Sequence, residues 1–167
     1  MDQIRIAPAG IEDVPVIHEM IGALADHLGF AHELVATEGD LHDALFGARP
    51  RAEVVLAYVG DAPAGFVLFY NNYSTFRGRC GIHVEDLYVL PAWRGKRIGR
   101  RLLAHIARLT LERGCSRLEW WVLARDERAS RFYEQLGATA KDEWTVYRLK
   151  GEPLVQLARE VQGREPG

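Results

Sequence analysis

Apolar residues fall into alternating and helical patterns along most of the chain. Ile4 and Ile6 alternate with polar neighbours, which predicts a short strand over residues 3–8. From Ile11 onward, Val14, Ile17, Ile21, Leu24, Ala25 and Leu28 recur at spacings of three and four, an amphipathic helix that stops near Gly29. Thr37 followed by Asp40 marks another helix start, with Leu41, Ala44 and Leu45 as its apolar face. Residues 54–59 and 64–70 read as two strands joined by a tight turn at Gly60-Asp61. Residues 71–81 are polar and turn-rich, and 82–90 form the next strand. A second long helix covers 98–113, with Leu102, Leu103, Ile106, Leu109 and Thr110 inward and Gly114 at its end. A strand at 117–123, a short helix at 129–136 and a strand at 144–149 follow. Residues 1–150 are expected to form a single domain, and 151–167 a tail that is partly helical and then disordered.

Composition narrows the class without naming the chemistry. At 167 residues and 48% apolar, the chain can bury a substantial core. A net charge of −2 gives no general reason to expect a nucleic-acid partner. No stretch is long and apolar enough to span a bilayer, and no N-terminal apolar run resembles a signal peptide, so neither a membrane partner nor an export route is expected. Cys80 and Cys115 show neither metal-ligand spacing nor a histidine cluster, so no metal is expected, and the pair reads as reduced thiols of a cytoplasmic protein.

The chemistry concentrates in Val84-Glu85-Asp86-Leu87-Tyr88-Val89-Leu90-Pro91-Ala92-Trp93-Arg94-Gly95-Lys96-Arg97-Ile98-Gly99-Arg100. An apolar strand carrying two carboxylates runs through a turn into a Gly-rich basic loop and then a helix. Such a loop presents N–H groups and a helix N-terminus to an anion, here most simply a pyrophosphate. The carboxylates lie one strand-length away, where an ammonium group can be held and deprotonated. Two adjacent acids in an apolar strand are costly unless functional or paired; Glu85 either accepts a proton or meets an arginine such as Arg79 or Arg117. Strand alternation would point Asp86 away from Glu85 unless a bulge re-aims one of them.

The order of elements, together with the block 94–99, resembles the GNAT N-acetyltransferase superfamily. Arg97 stands where that family's loop has its first glycine. Glu85-Asp86-Leu87-Tyr88-Val89, Arg94-Gly95 and Phe132-Tyr133-Glu134-Gln135-Leu136-Gly137-Ala138 are similar to the spermidine/spermine and thialysine N-acetyltransferase group, as are Ile6-Ala7-Pro8-Ala9 and Thr37-Glu38-Gly39-Asp40-Leu41. The resemblance implies an α/β fold with a central mixed, mostly antiparallel sheet flanked by helices. A splayed strand pair in it holds acetyl-CoA. It implies acetyl transfer to a primary amine of a small molecule (a diamine, a polyamine or an amino-acid side-chain amine), by a protein with two subunits per functional unit.

Carried onto this chain, the resemblance makes Glu85 the proton acceptor and Tyr133 the acid for the departing thiolate. Leu87, Tyr88 and Val89 would pair through their backbones with pantetheine, and Arg94, Gly95, Lys96, Arg97, Ile98, Gly99 and Arg100 would hold the pyrophosphate. Asp126 and Ala129 fall where the family has a segment touching pantetheine; capping of the short helix explains Asp126 equally well. Arg101 reads as surface. Asp86 would position the ammonium by charge, and Trp144 would line the acceptor's entrance. Among the histidines only His83, two residues before Glu85, stands near the candidate chemistry.

On the resemblance, Leu28 and Thr75 stand where mammalian polyamine enzymes carry acids, so a long polycation would be held less tightly and a shorter diamine or an amino acid with a side-chain amine is an acceptor of at least equal standing. An amino acid would need a partner for its carboxylate, for which Arg77 or Arg79 is available. Two other readings stay open at this point. One is a catalytically idle acetyl-CoA-binding module, and the other an acetyltransferase acting on protein N-termini or lysines.

Overall fold

In the computed structural model, which describes residues 3–161, the alternation at Ile4 and Ile6 forms strand β1 (Ile4–Pro8). The chain divides into two compact units, Met1–Trp121 and Val122–Gly167. In the first, a 3-10 turn at Ile11–Asp13 leads into helix α1 (Val14–Leu28) and, further on, α2 (Glu38–Phe46). Thr37 opens α2 as the sequence implies: its Oγ1 accepts from the Asp40 amide at 3.2 Å, and Asp40 Oδ2 accepts from the Thr37 amide at 2.8 Å.

Strands β2 (Glu53–Val59), β3 (Ala62–Ser74), β4 (Arg79–Val89) and β5 (Leu118–Trp120) join β1 in one five-stranded sheet, ordered β1-β2-β3-β4-β5. The first three pairings are antiparallel and the β4–β5 pairing is parallel. Helix α3 (Ile98–Glu112) makes the crossover between β4 and β5. Both faces of the sheet are covered. Val54, Leu56, Phe66, Leu68 and Tyr88 pack with Val14, Ile17 and Met20 of α1 and Leu41 and Leu45 of α2. The alternate positions Val55, Ala57, Val67, Phe69, Ile82 and Val84 are also buried, and α3 lies against all five strands with Ile98, Leu102, Leu103 and Ile106 turned inward.

Several expectations are corrected. Much of the polar stretch 71–81 is strand: Asn71, Asn72, Tyr73 and Ser74 pair with Ile82, Gly81, Cys80 and Arg79, leaving only residues 75–78 as the turn. Ladder bonds are made by the backbone, so polar side chains do not end a strand whose neighbour continues. Cys80 and Cys115 are joined in a disulfide with their Cα atoms 4.6 Å apart, contrary to the reduced-thiol reading. Their separation of 35 residues hid the pairing, because α3 has to fold back along the sheet before the two meet. Strand β5 is shorter than the stretch 117–123.

In the second unit the described elements are α4 (Glu127–Glu134) and α5 (Glu152–Arg159), the latter as expected of the tail. Residues 144–149 are not a strand: Trp144, Val146, Tyr147 and Leu149 are all exposed, and β propensity without a neighbouring ladder does not make a strand. The disordered end expected after the tail helix falls mostly outside the described residues. No helix among the described residues is long and apolar enough to cross a membrane.

Candidate active site

Strand β4 shifts register against β3 at Glu85. Val84 pairs with Phe69 and Asp86 with Leu68, so Glu85 is an extra residue in a β-bulge. The parallel ladder to β5 ends at the same point, its last pair being Val84 with Trp120. Beyond it, the β5-facing edge of β4 over Glu85, Asp86, Leu87, Tyr88 and Val89 has no neighbouring strand among the described residues. Tyr88 is buried in the core, while Leu87 and Val89 are half-buried.

The bulge brings the two acids to one side. Asp86 lies opposite Leu68, on the face covered by α1 and α2. Glu85 turns to the same face, where its Oε2 lies 3.4 Å from the Tyr70 hydroxyl and 3.7 Å from His83 Nε2. His83 is buried, stacked on Tyr70 with ring centroids 5.1 Å apart and edge-on to Trp121 at 5.2 Å. The acids differ in setting. The Glu85 side chain is 51% exposed. Burial first, and then the charge of Glu85, push the Asp86 carboxyl up to about 6. The Tyr70 phenol is likewise raised, by burial and then by the charge of Glu85, so it keeps its proton to donate.

One more carboxylate stands on this face. Glu119 sits opposite His83 on β5, accepts from Asn72 Nδ2 at 2.6 Å and pairs with Arg117 Nε at 3.3 Å. Glu119, Asn72 and Tyr70 were not singled out from the sequence. A charged residue between Leu118 and Trp120 in a short apolar strand was the available signal. Tyr70 also lines a cavity of about 570 Å³ under the end of α2, within the range that holds small ligands.

Residues 94–97 connect a 3-10 turn at Pro91–Trp93 to α3. Arg94 Nε donates to the Val89 carbonyl at 3.1 Å, tying the loop to the end of β4, and Lys96 lies over the Trp93 ring at 4.5 Å. Arg97 is the N-cap of α3 with φ 62° and ψ 18°, and it is the one non-glycine with positive φ among the described residues. It therefore takes the left-handed conformation of the glycine it replaces. No side chain caps this terminus and its first turn holds no acid. The amides of Ile98, Gly99 and Arg100 are thus first-turn donors with no partner inside the helix. Gly95, Lys96, Arg97 and Arg100 are exposed beside them; the side chain of Ile98 is core. An anionic pyrophosphate fits this chemistry.

The second unit carries the remaining candidates. Asp126 caps α4, accepting from the Ala129 amide at 2.9 Å. Burial first, and then the charge of Asp126, push the Tyr133 phenol up to about 12, and its ring lies 5.2 Å from that of Phe132. Trp144 is 71% exposed.

Comparison with known proteins gives this geometry a context. Residues 23–138 match the model of the acetyltransferase (GNAT) family. A thialysine N-epsilon-acetyltransferase of Bos taurus is 34% identical, the match covering 93% of this chain and 96% of that protein. An L-ornithine N5-acetyltransferase of Arabidopsis thaliana is 30% identical over 90% of this chain and 86% of its own length. Among solved structures, an integron cassette protein from the mobile metagenome of V. cholerae superposes with a TM-score of 0.78 at 26% identity, covering 95% of this chain and 99% of that one.

Proposed function

This chain belongs to the GNAT acetyltransferase family, and from that membership we propose that it acetylates a primary amine of a small molecule, with acetyl-CoA as donor and by direct transfer. The observation that carries the reading is the bulge at Glu85, which coincides with the end of the β4–β5 ladder and brings two carboxylates to the face that carries Tyr70. The bare first turn of α3 supports a pyrophosphate site.

When bound, acetyl-CoA supplies the thioester whose C–S bond breaks as the C–N bond to the amine forms. The unpaired edge over Leu87, Tyr88 and Val89 offers backbone groups to pantetheine, although Arg94 already uses one lone pair of the Val89 carbonyl. The amides of Ile98, Gly99 and Arg100, with the charges of Lys96, Arg97 and Arg100, neutralise the diphosphate. An amine arrives as ammonium, which Glu85 and Asp86 attract. It must lose one proton to attack, and Glu85 takes that proton with Tyr70 holding its carboxylate in place. Tyr133, protonated at neutral pH, would give its proton to the departing thiolate and be restored by the second proton that the nitrogen loses as the amide forms. Asp126 and Ala129 flank the pantetheine, and Trp144 serves the acceptor.

A second assignment of the base is favoured by one observation, the raised carboxyl of Asp86, since a base works best with its pKa near the working pH. One experiment serves both. CoA release is followed with acetyl-CoA and putrescine, spermidine, ornithine, lysine, thialysine or a short peptide, in the wild type, Glu85→Gln and Asp86→Asn. Turnover of a small amine that falls at least about 100-fold in Glu85→Gln is expected. Turnover unchanged in that variant but abolished in Asp86→Asn moves the base to Asp86. Absence of small-amine turnover alongside robust peptide turnover overturns the proposal.

A further inference from the structure

Three polar groups of the sheet are not used by the acetyl transfer itself: Arg117, Glu119 and Asn72. They form a connected set on the face of the sheet that carries Glu85. Register places them in rows. Asn72 lies opposite Gly81, Tyr70 opposite His83, and His83 opposite Glu119. Arg117 precedes the first β4–β5 pair, and its carbonyl accepts from the Ile82 amide at 3.0 Å.

Gly81 explains how this arrangement fits. A Cβ built there would collide with Asn72 Oδ1 and come within 2.8 Å of Arg117 Cγ. The missing side chain leaves a depression in the strand over which Arg117 and Asn72 lie, a use of glycine inside a strand that otherwise weakens it. Arg117 Nε pairs with Glu119 Oε2 at 3.3 Å, and its Nη2 reaches Asn72 Oδ1 at 3.5 Å. A guanidinium has five N–H donors, so this one keeps capacity for a further acceptor. Both side chains of the pair stay about two-fifths exposed, at 40% and 42%.

We infer that Arg117 and Glu119 form a subsite for the head group of an α-amino acid acceptor, Arg117 taking its carboxylate and Glu119 its α-ammonium, while the side-chain amine reaches Glu85. The inference rests on the amine-acetylating reading above and names its substrate class. Spacing supports it. His83, opposite Glu119, is two residues from Glu85, about 7 Å along the strand, and Gly81 is four away, about 13 Å. A diamino acid of ornithine or thialysine length spans roughly 7 Å from its terminal nitrogen to its carboxylate. Carboxylate and arginine side chains close the remaining gap. Arg79 is six residues from Glu85, about 20 Å along β4, and Arg77 stands in the turn beyond it, so Arg117 is the better-placed partner. A subsite with adjacent plus and minus charges matches a zwitterion. A plain diamine brings no carboxylate to the guanidinium's remaining N–H donors, and its second ammonium meets the repulsion of Arg117.

The test compares acceptors that differ by one group: ornithine against putrescine, which lacks the carboxylate, and ornithine against 5-aminovalerate, which lacks the α-amine. In Arg117→Ala, the ratio of kcat/KM for ornithine over putrescine is expected to fall roughly 10- to 100-fold, the loss of a charge-assisted pair, chiefly through KM. Arg117→Lys, which retains the charge and most of the stem, should restore part of that ratio. In Glu119→Gln, the ratio for ornithine over 5-aminovalerate falls instead. Equal losses for ornithine and putrescine in Arg117→Ala, while wild-type turnover still depends on Glu85, overturn the subsite and leave the acetyl transfer standing. A wild type that acetylates no amine overturns both. Melting temperatures of the variants accompany the kinetics, and a ratio is unaffected by a loss of folded protein.

Discussion

Asp86 is held in a setting that its charge opposes. Its carboxyl is raised from 3.8 to about 6, by burial and then by the charge of Glu85. Between those values the folded protein binds more protons than the unfolded chain. Stability is therefore lost as pH rises from about 4 to about 6, and the loss persists above it. Asp86→Asn should consequently raise stability at pH 7.5 by up to about 3 kcal/mol and change little below pH 4, as read from urea midpoints at both pH values. Equal effects at the two pH values would count against the raised carboxyl. A cationic acceptor relieves the same penalty, so its binding should be accompanied by proton release at pH 6. Arg97 is the other residue held at a cost. A left-handed L-residue costs roughly 1–2 kcal/mol, part of which glycine returns as unfolded-chain entropy. Arg97→Gly is expected to stabilise by up to about 1 kcal/mol while weakening the affinity for acetyl-CoA through the lost charge. A stability loss in that variant would mean that the arginine makes compensating contacts.

At the scale of elements, the site depends on how β4 is held. Against β3 the approach is close: a Cβ on Gly65 would lie 2.5 Å from the Tyr88 carbonyl and 3.1 Å from Val89 Cα, both of them backbone. Gly65→Ala must therefore displace the end of β4. A cost of about 1–3 kcal/mol and weaker acetyl-CoA binding are expected, measured by denaturation and by titration of the cofactor. At its other end β4 is stapled to the segment after α3 by Cys80–Cys115, which closes a loop of 35 residues. Chain entropy for such a loop amounts to about 4 kcal/mol, so reduction, or the Cys80→Ser/Cys115→Ser pair, should lower stability by about 2–4 kcal/mol. An unchanged urea midpoint under strong reductant would contradict this.

For the whole molecule, ligand linkage gives the broadest check. A ligand that binds only the folded state stabilises it by about 2.7 kcal/mol at 100 times its dissociation constant. Acetyl-CoA should raise the melting temperature accordingly, and acetyl-pantetheine, which lacks the diphosphate and nucleotide, should do so far less. Equal shifts for the two would remove the anion-binding role of the first turn of α3.

Most of this architecture was legible along the chain, because periodicity reports which face of an element is buried. The α1 and α3 stripes, the Thr37–Asp40 cap and the hairpin at Gly60-Asp61 are all local patterns, and all are present in the structure. The stretch from Glu85 to Arg100 was legible for a similar reason: acids within an apolar strand and glycines within a basic loop are conspicuous in sequence. Other features depend on partners distant in the chain. Whether polar residues 71–74 extend a strand was decided by β4, and whether apolar residues 144–149 make one was decided by the lack of a ladder. Cys80 meets Cys115, Tyr70 reaches Glu85 and Glu119 comes to lie opposite His83 only once the sheet and α3 have assembled. The bulge that turns Glu85 and Asp86 to one face was a stated possibility in the sequence; the register between β3 and β4 decided it. Hydrophobic periodicity is a property of single elements, whereas register and side-chain convergence arise between elements, and there the chemistry of this site is set.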